Sequence, residues 1–251
     1  MDASRTSCSD PRLTGDFLRR LSGPQGSITL VGVAHDHPSS IYRVRTAIEA
    51  FDPDTLALEL PPMAIPLFEQ YAADSRTPPA LGGEMSAAIQ AADTATVTGI
   101  DRPTAGYYRR LLGTLVRERP SLDALRNVFA GSASTLSHAV ACRLAALFGK
   151  WTPHALAVDS STDHEVDHSD EPSAQAADER TQIRRSRAIL DSLGSDSYVH
   201  ASQIERDSRD IEMASRLADF DGDTLAVVGI SHLDALVEQL QASGWSSTPI
   251  P

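Results

Sequence analysis

The sequence predicts an α/β protein, a single domain with a mainly parallel central sheet covered by helices. Three observations predict it. Four short runs, SITLVGVA (27–34), TLALEL (55–60), TVTGI (96–100) and TLAVVGIS (224–231), are nearly continuous in Val, Ile, Leu and Ala, as strands buried on both faces are. Segments of helical period lie between them, which is the alternation that builds parallel sheets. A chain of 251 residues buries one substantial core, and nothing in its pattern divides it in two.

Taken in order, residues 1–26 read as a polar tail with a short helix, and the domain as 27–245. After the first strand, Ser39 to Phe51 has helical period and is closed by D-P-D. Pro62 to Asp74, opened by prolines, and Gly83 to Ala92 are the next helices. Residues 106–150 carry apolar spacing near 3.6 in YYRRLLGTLV, SLDALRNVFA and TLSHAVACRLAALFG, predicting two or three helices over the sheet. The composition then changes. Asp159 to Asp178 is rich in Asp, Ser and Ala with little to bury, and the stretch at about 158–178 is expected to be a disordered acidic insertion. Helical character resumes at Glu179, runs through IERDSRDIEMASRLADF, and turns at D-G-D into the last long strand; 246–251 reads as a tail.

Composition narrows the function classes. With 34 acidic and 22 basic residues the net charge is −12, and there is no basic stripe of the kind that binds nucleic acid. Lys150 is the single lysine, so arginine carries the rest of the positive charge. An acidic surface of this kind suits a salt-rich, halophilic cytoplasm and an acidic proteome. No apolar run approaches the roughly 18–20 residues of a membrane span, and the N-terminal residues lack the apolar core of a signal peptide, so a cytoplasmic location is expected. Cys8 and Cys142 form neither a disulfide framework nor a C-x-x-C motif.

Ligands in open parallel sheets bind beyond the carboxyl ends of the strands, and here each of the four ends carries an ionisable residue: His35, Glu59, Asp101 and His232. VGVAH and VGISH repeat one pattern, with Gly32 and Gly229 three residues before their histidines. Glycine there lets a ligand or a neighbouring backbone approach closely. Glu59 sits in TLALEL, where an unpaired carboxylate would cost several kcal/mol, so it needs a cation or a donor. Two imidazoles and a carboxylate are a first shell for a divalent ion such as manganese, cobalt, zinc or iron, which would activate water and polarise a carbonyl. Each residue alone has a structural reading as a capped strand end, and Asp101 in GIDRP equally reads as a helix N-cap or turn residue. His37, beside Asp36 and Pro38, reads as an exposed loop residue or as a group that braces a ligating side chain or binds substrate. His138, His154 and His200 read as structural. His164-Glu165-Val166-Asp167-His168 matches H-E-x-x-H but sits among Asp, Ser and Pro, without the buried helix face a zinc site needs, and reads as a decoy.

These residues occur in a recognisable order. TLVGVAHDHPSS, then D-P-D and LALEL, then AIQAADTATVTGIDRP, IERDSRDIEMASRLA and AVVGISHLDAL, together resemble TraB/PrgY-family domains across residues 28–240. The resemblance implies the TraB/Tiki superfamily, with GumN-like, erythromycin-esterase-like (EreA) and ChaN-like relatives and an EreA/ChaN-like sheet. Tiki-like members are metal-dependent proteases using paired G-x-x-H histidines and a glutamate; His35, His232 and Glu59 match those positions. The associated role of TraB/PrgY members is pheromone shutdown. Arg206 in E-R-D becomes a candidate to anchor a substrate carboxylate or oxyanion, or else a surface partner of Asp207 or Glu205. Many such proteins continue into C-terminal membrane segments, whereas this sequence ends at Pro251. The expectation is a metal-dependent hydrolase with Glu59 and Arg206 catalytic, acting on a peptide or amide bond in a peptide or small-molecule substrate. The alternative is a non-catalytic peptide-binding or pheromone-binding protein using the same crevice. The sequence leaves room for a homodimer.

Overall fold

The computed structural model describes residues 10–149, 157–158, 171–192 and 196–250. Two 3-10 turns, Pro11–Leu13 and Gly15–Phe17, lead into β1 (Leu18–Gly23) and β2 (Gly26–Val33). Then come α1 (Pro38–Phe51), β3 (Thr55–Leu58), α2 (Ile65–Ala72), α3 (Gly83–Ala91) and β4 (Thr96–Gly99). The long helices α4 (Ala105–Glu118), α5 (Leu122–Gly149), α6 (Pro172–Ser192) and α7 (Asp196–Ala218) precede β5 (Gly222–Gly229), α8 (Ile230–Ala242) and β6 (Ser246–Thr248). The sheet order is β4-β3-β5-β2-β1-β6. The four strands read from the sequence form its parallel part, with β5 between β3 and β2; β1 runs antiparallel to β2, and β6 antiparallel to β1.

Alternation along the central strands divides the core into two layers. Leu225 and Val227 of β5 face α1, α2 and α3 with Leu56, Leu58, Val31 and Val33. Ala226 and Val228 face α7 and α8 with Met213, Leu217, Leu233 and Leu236. Side chains pointing to opposite faces at successive positions leave no polar face on these strands, which is why their sequence reads as unbroken apolar runs. A third cluster, Tyr107, Leu111, Val128 and Ile204 among it, ties α4 and α5 to α7.

Three expectations need correction. Residues 18–23 are a strand rather than part of a tail: Leu18 and Leu21 are buried, and the pair Arg19-Arg20 between them hides the pattern. A short turn between Gly23 and Gly26 closes the hairpin. Gly26 has φ +145°, and a Cβ there would stand 2.1 Å from the Gly222 carbonyl oxygen, so the residue is needed both for the turn and for the close approach of β5. Residues 246–248 are likewise a strand, too short to leave a periodic signal. The acidic stretch is not an insertion throughout. Residues 159–170, including His164 and His168, lie outside the described residues, but α6 begins at Pro172. That helix docks through a buried carboxylate: Glu179 accepts from Arg43 at 2.5 and 3.0 Å and from the Ser40 hydroxyl at 2.6 Å. Reading it for apolar burial alone missed the contact that holds it.

Candidate functional site

The parallel strands end level with one another. Val33 of β2 pairs with Gly229 of β5, and Leu58 of β3 with Val227 of β5 and Gly99 of β4. The residues that follow, His35, Glu59 and Asp101, therefore emerge at one edge beside the start of α8, which carries His232. α7 crosses the same edge and brings Arg209 and Asp210.

Glu59 is the centre. Its side chain is 6% exposed. One oxygen accepts the Gly229 backbone N–H at 2.5 Å; the other accepts from Arg209 at 2.7 Å and lies 3.3 Å from His232 Nε2. Burial pushes its carboxyl up, but His232, Arg209, His35 and the Gly229 N–H together hold it below the ordinary range. Arg209 also donates to both oxygens of Asp101, at 2.9 and 2.7 Å. Burial alone would lower this guanidinium, yet Asp101 and Glu59 carry its pKa upward. Asp101 is thus a partner of Arg209; the N-cap of α4 is Thr104.

The two histidines are held in the same way. His232 Nδ1 bonds the carboxylate of Asp210, which is 4% exposed. His35 Nδ1 lies 2.7 Å from Glu84, a carboxylate 2% exposed that also accepts the Asp36 N–H at 2.8 Å. A carboxylate at Nδ1 takes the Nδ1–H, so that each ring, once neutral, would present Nε2 as an acceptor. The hydrogen bond to Glu84 raises His35 to about 9 against the cost of burial, although its side chain is 57% exposed. Gly229 lies between the three groups. A Cβ there would stand 3.3 Å from Glu59 Oε2, 3.4 Å from His35 Nε2 and 3.8 Å from His232 Cδ2. The absent side chain leaves a small space bounded by two imidazoles and a carboxylate.

The donors fit a divalent ion in kind: two imidazoles, each backed by a carboxylate, and an acidic oxygen. In spacing they are not gathered around one point, since no three His, Cys, Asp or Glu side chains among the described residues form a group that could hold an ion. The cation Glu59 requires is supplied in this structure by Arg209.

Of the residues expected at the site, His35, Glu59, Asp101, His232 and Gly229 converge. Arg206 makes none of the bonds of this cluster; the guanidinium there belongs to Arg209, three residues further along α7. Gly32 is buried and serves packing, because a Cβ would meet Ile230 at 2.9 Å and Leu233 at 3.1 Å. His37 is in the loop, at its last position before α1, but it is not exposed. It is fully buried, caps α1 by accepting the Ser39 N–H at 3.1 Å, and reaches Asp178 of α6 at 3.3 Å. His138 lies 3.6 Å from Cys142 within α5. His154 lies outside the described residues, as does the side chain of His200. Sequence reasoning missed Glu84, Asp210 and Arg209. Comparison with family models, with curated proteins and with solved structures gave no match. No helix among the described residues is long and apolar enough to cross a membrane.

Proposed function

We propose that this chain is a metal-dependent hydrolase of the TraB/Tiki type, acting on a peptide or amide bond in the crevice at the carboxyl ends of β2 to β5. The observation that carries the reading is the pair of imidazoles, each with Nδ1 tied to a buried carboxylate, facing Glu59 across Gly229. His35, His232 and Glu59 would have to close on the space beside Gly229, with Glu59 partly released from Arg209, to hold the ion, and manganese, cobalt, zinc and iron all suit such donors in kind. When bound, it would supply Lewis acidity and a more acidic water. The chain's own residues divide the remaining work. Glu84 and Asp210 orient the imidazoles. Asp101 fixes the Arg209 guanidinium in two bonds, so that its position is set before a substrate arrives. The half-exposed His35 marks the open side of the crevice, and the buried Glu59 its floor.

The test is incubation of the purified chain with a diverse peptide mixture and each metal in turn, read by mass spectrometry. Cleavage is expected with metal in the wild type and its loss by at least about 10²-fold in His35→Ala and His232→Ala. No cleavage with any metal would count against the reading. The carboxylates give a separate prediction: Glu84→Gln and Asp210→Asn should each weaken metal affinity by about 10–100-fold, measured by calorimetry, while leaving both ligands in place.

One observation favours a second reading. Because Arg209 already supplies Glu59 with a cation, the crevice is held together without an ion and would serve a protein that captures a peptide or small ligand without turnover. Stoichiometric binding with no product in the presence of metal would favour that reading.

A further inference from the structure

The strand-end edge that carries the crevice continues past His35. β1 runs antiparallel to β2 with Leu18 opposite Val31, so the residues before it, Asp16 and Phe17, come level with the end of β2. The Phe17 carbonyl oxygen stands 3.4 Å from the Cβ position of Gly32. Here the turn before β1, α6 and α8 enclose a cleft of about 350 Å³. Its apolar lining is Phe17, Ile183, Ile230 and Leu233, and Ile230 follows directly on Gly229 of the crevice. The wall on α6 carries Arg180 and Arg184, one turn apart. Among the described residues neither arginine has a carboxylate within 4 Å: Arg184 donates to Thr181 Oγ1 at 3.0 Å, and Arg180 has no hydrogen bond or ion pair. The two acidic residues of the cleft, Asp16 and Asp234, belong to the other walls, where Arg19 bonds Asp234 at 3.3 Å.

We propose that this cleft receives the C-terminal residue of a peptide, its apolar side chain against the apolar lining and its α-carboxylate on Arg180, with Arg184 beside it. Two like charges one turn apart on a helix repel, and an anion between them removes that cost. A guanidinium without a partner is also the group that holds a carboxylate in two parallel bonds. The apolar surface next to it selects an acid with an apolar tail, and a volume at the bottom of the roughly 300–1,000 Å³ range of ligand sites suits a single residue. The walls are set before a ligand arrives. The Arg43 guanidinium lies 3.9 Å from the centroid of the Phe17 ring and also holds Glu179, the neighbour of Arg180, so one buried pair positions both. The place of the cleft in the fold makes the acid a peptide end. β1 lies two strands from β5, about 10 Å, which is the reach of three extended residues. A chain whose last residue sits in the cleft therefore passes His35 and Gly229. This choice of ligand rests on the crevice being a peptide site, whether or not it hydrolyses.

Titration calorimetry of the full chain without metal tests it, with N-acetyl-Ala-Ala-Ala-Leu as the probe. The free acid should bind at least about 10-fold tighter than its C-terminal amide, which keeps the shape and lacks the charge. The same peptide ending in aspartate should bind at least about 10-fold more weakly than the leucine acid, because its side chain forgoes the apolar lining. Arg180→Gln should abolish the advantage of acid over amide and leave the affinity for the amide unchanged, a pattern that lost folding would not give. Its melt should stay within a few degrees of wild type, since among the described residues Arg180 has no bond to lose. Equal binding of acid and amide, an advantage that survives Arg180→Gln, or no binding of either at about 1 mM would overturn the inference. N-acetyl-leucine bound as tightly as the peptide would overturn the peptide as ligand. Binding that passes these tests without any cleavage when metal is added removes only the hydrolase; cleavage with acid and amide bound alike removes only the role of the cleft.

Discussion

Glu179→Ala is expected to be the most destabilising of the single changes considered, by about 3–5 kcal/mol, because it leaves the Arg43 guanidinium buried without its counterion. Neither side chain has any exposed surface. Arg43 also donates to the Gly32 carbonyl at 2.9 Å and to the Arg12 carbonyl at 2.8 Å, so one cation joins α1, the end of β2, the N-terminal turns and α6. The midpoint of thermal unfolding should fall by roughly 10 °C for a chain of this size. Urea denaturation of Glu179→Ala beside an Arg43→Met, Glu179→Leu double variant checks the cause. The double variant should recover part of the loss, since a buried pair replaced by apolar groups is often close to neutral. A loss below about 1 kcal/mol for Glu179→Ala would mean that α6 is not held by this pair.

The second large effect is expected at Gly229. Its backbone, φ −58° and ψ 142°, is open to any residue, so a side chain there is not opposed by backbone strain. A side chain is opposed by the site, where the Cβ position is 3.3 Å from Glu59 Oε2 and 3.4 Å from His35 Nε2. Gly229→Val should therefore still fold, with a melt lowered by the roughly 1–3 kcal/mol that overpacking costs, and lose about 10–100-fold in affinity for the proposed metal, the size of effect seen when groups around such a site are displaced. Calorimetric titration with manganese or cobalt measures it. Unchanged affinity would show that the space beside Gly229 is not where the ion sits.

How much of this was legible in the sequence varies with the physics behind each element. The central strands β2, β3 and β5 were legible because burial on both faces leaves them mostly apolar, as in Leu225 to Val228. The convergence of His35, Glu59, Asp101 and His232 followed from the rule that strand ends of a parallel sheet share one edge. Arg209 was not legible. IERDSRD offers two arginines on nearly the same side of α7, and only the height at which the helix crosses the sheet edge, about 4.5 Å for three residues, decides which one reaches Glu59. Glu84 and Asp210 lie 49 and 22 residues from the histidines they orient, and no local pattern links such pairs. β1 and α6 escaped because their anchoring residues include charged ones, Arg19-Arg20 within the strand and Glu179 within the helix, where a search for apolar periodicity finds nothing.

If His35 and His232 share one metal with Glu59, removing either imidazole must release it, and elemental analysis reads this. Protein purified without chelators, and the same protein reconstituted with manganese, cobalt, zinc or iron, is compared with folded His35→Ala and His232→Ala variants. Close to one equivalent of metal per chain in the wild type, lost in both variants, is the predicted result. No metal in the wild type after reconstitution, or metal that remains in either variant, would contradict it.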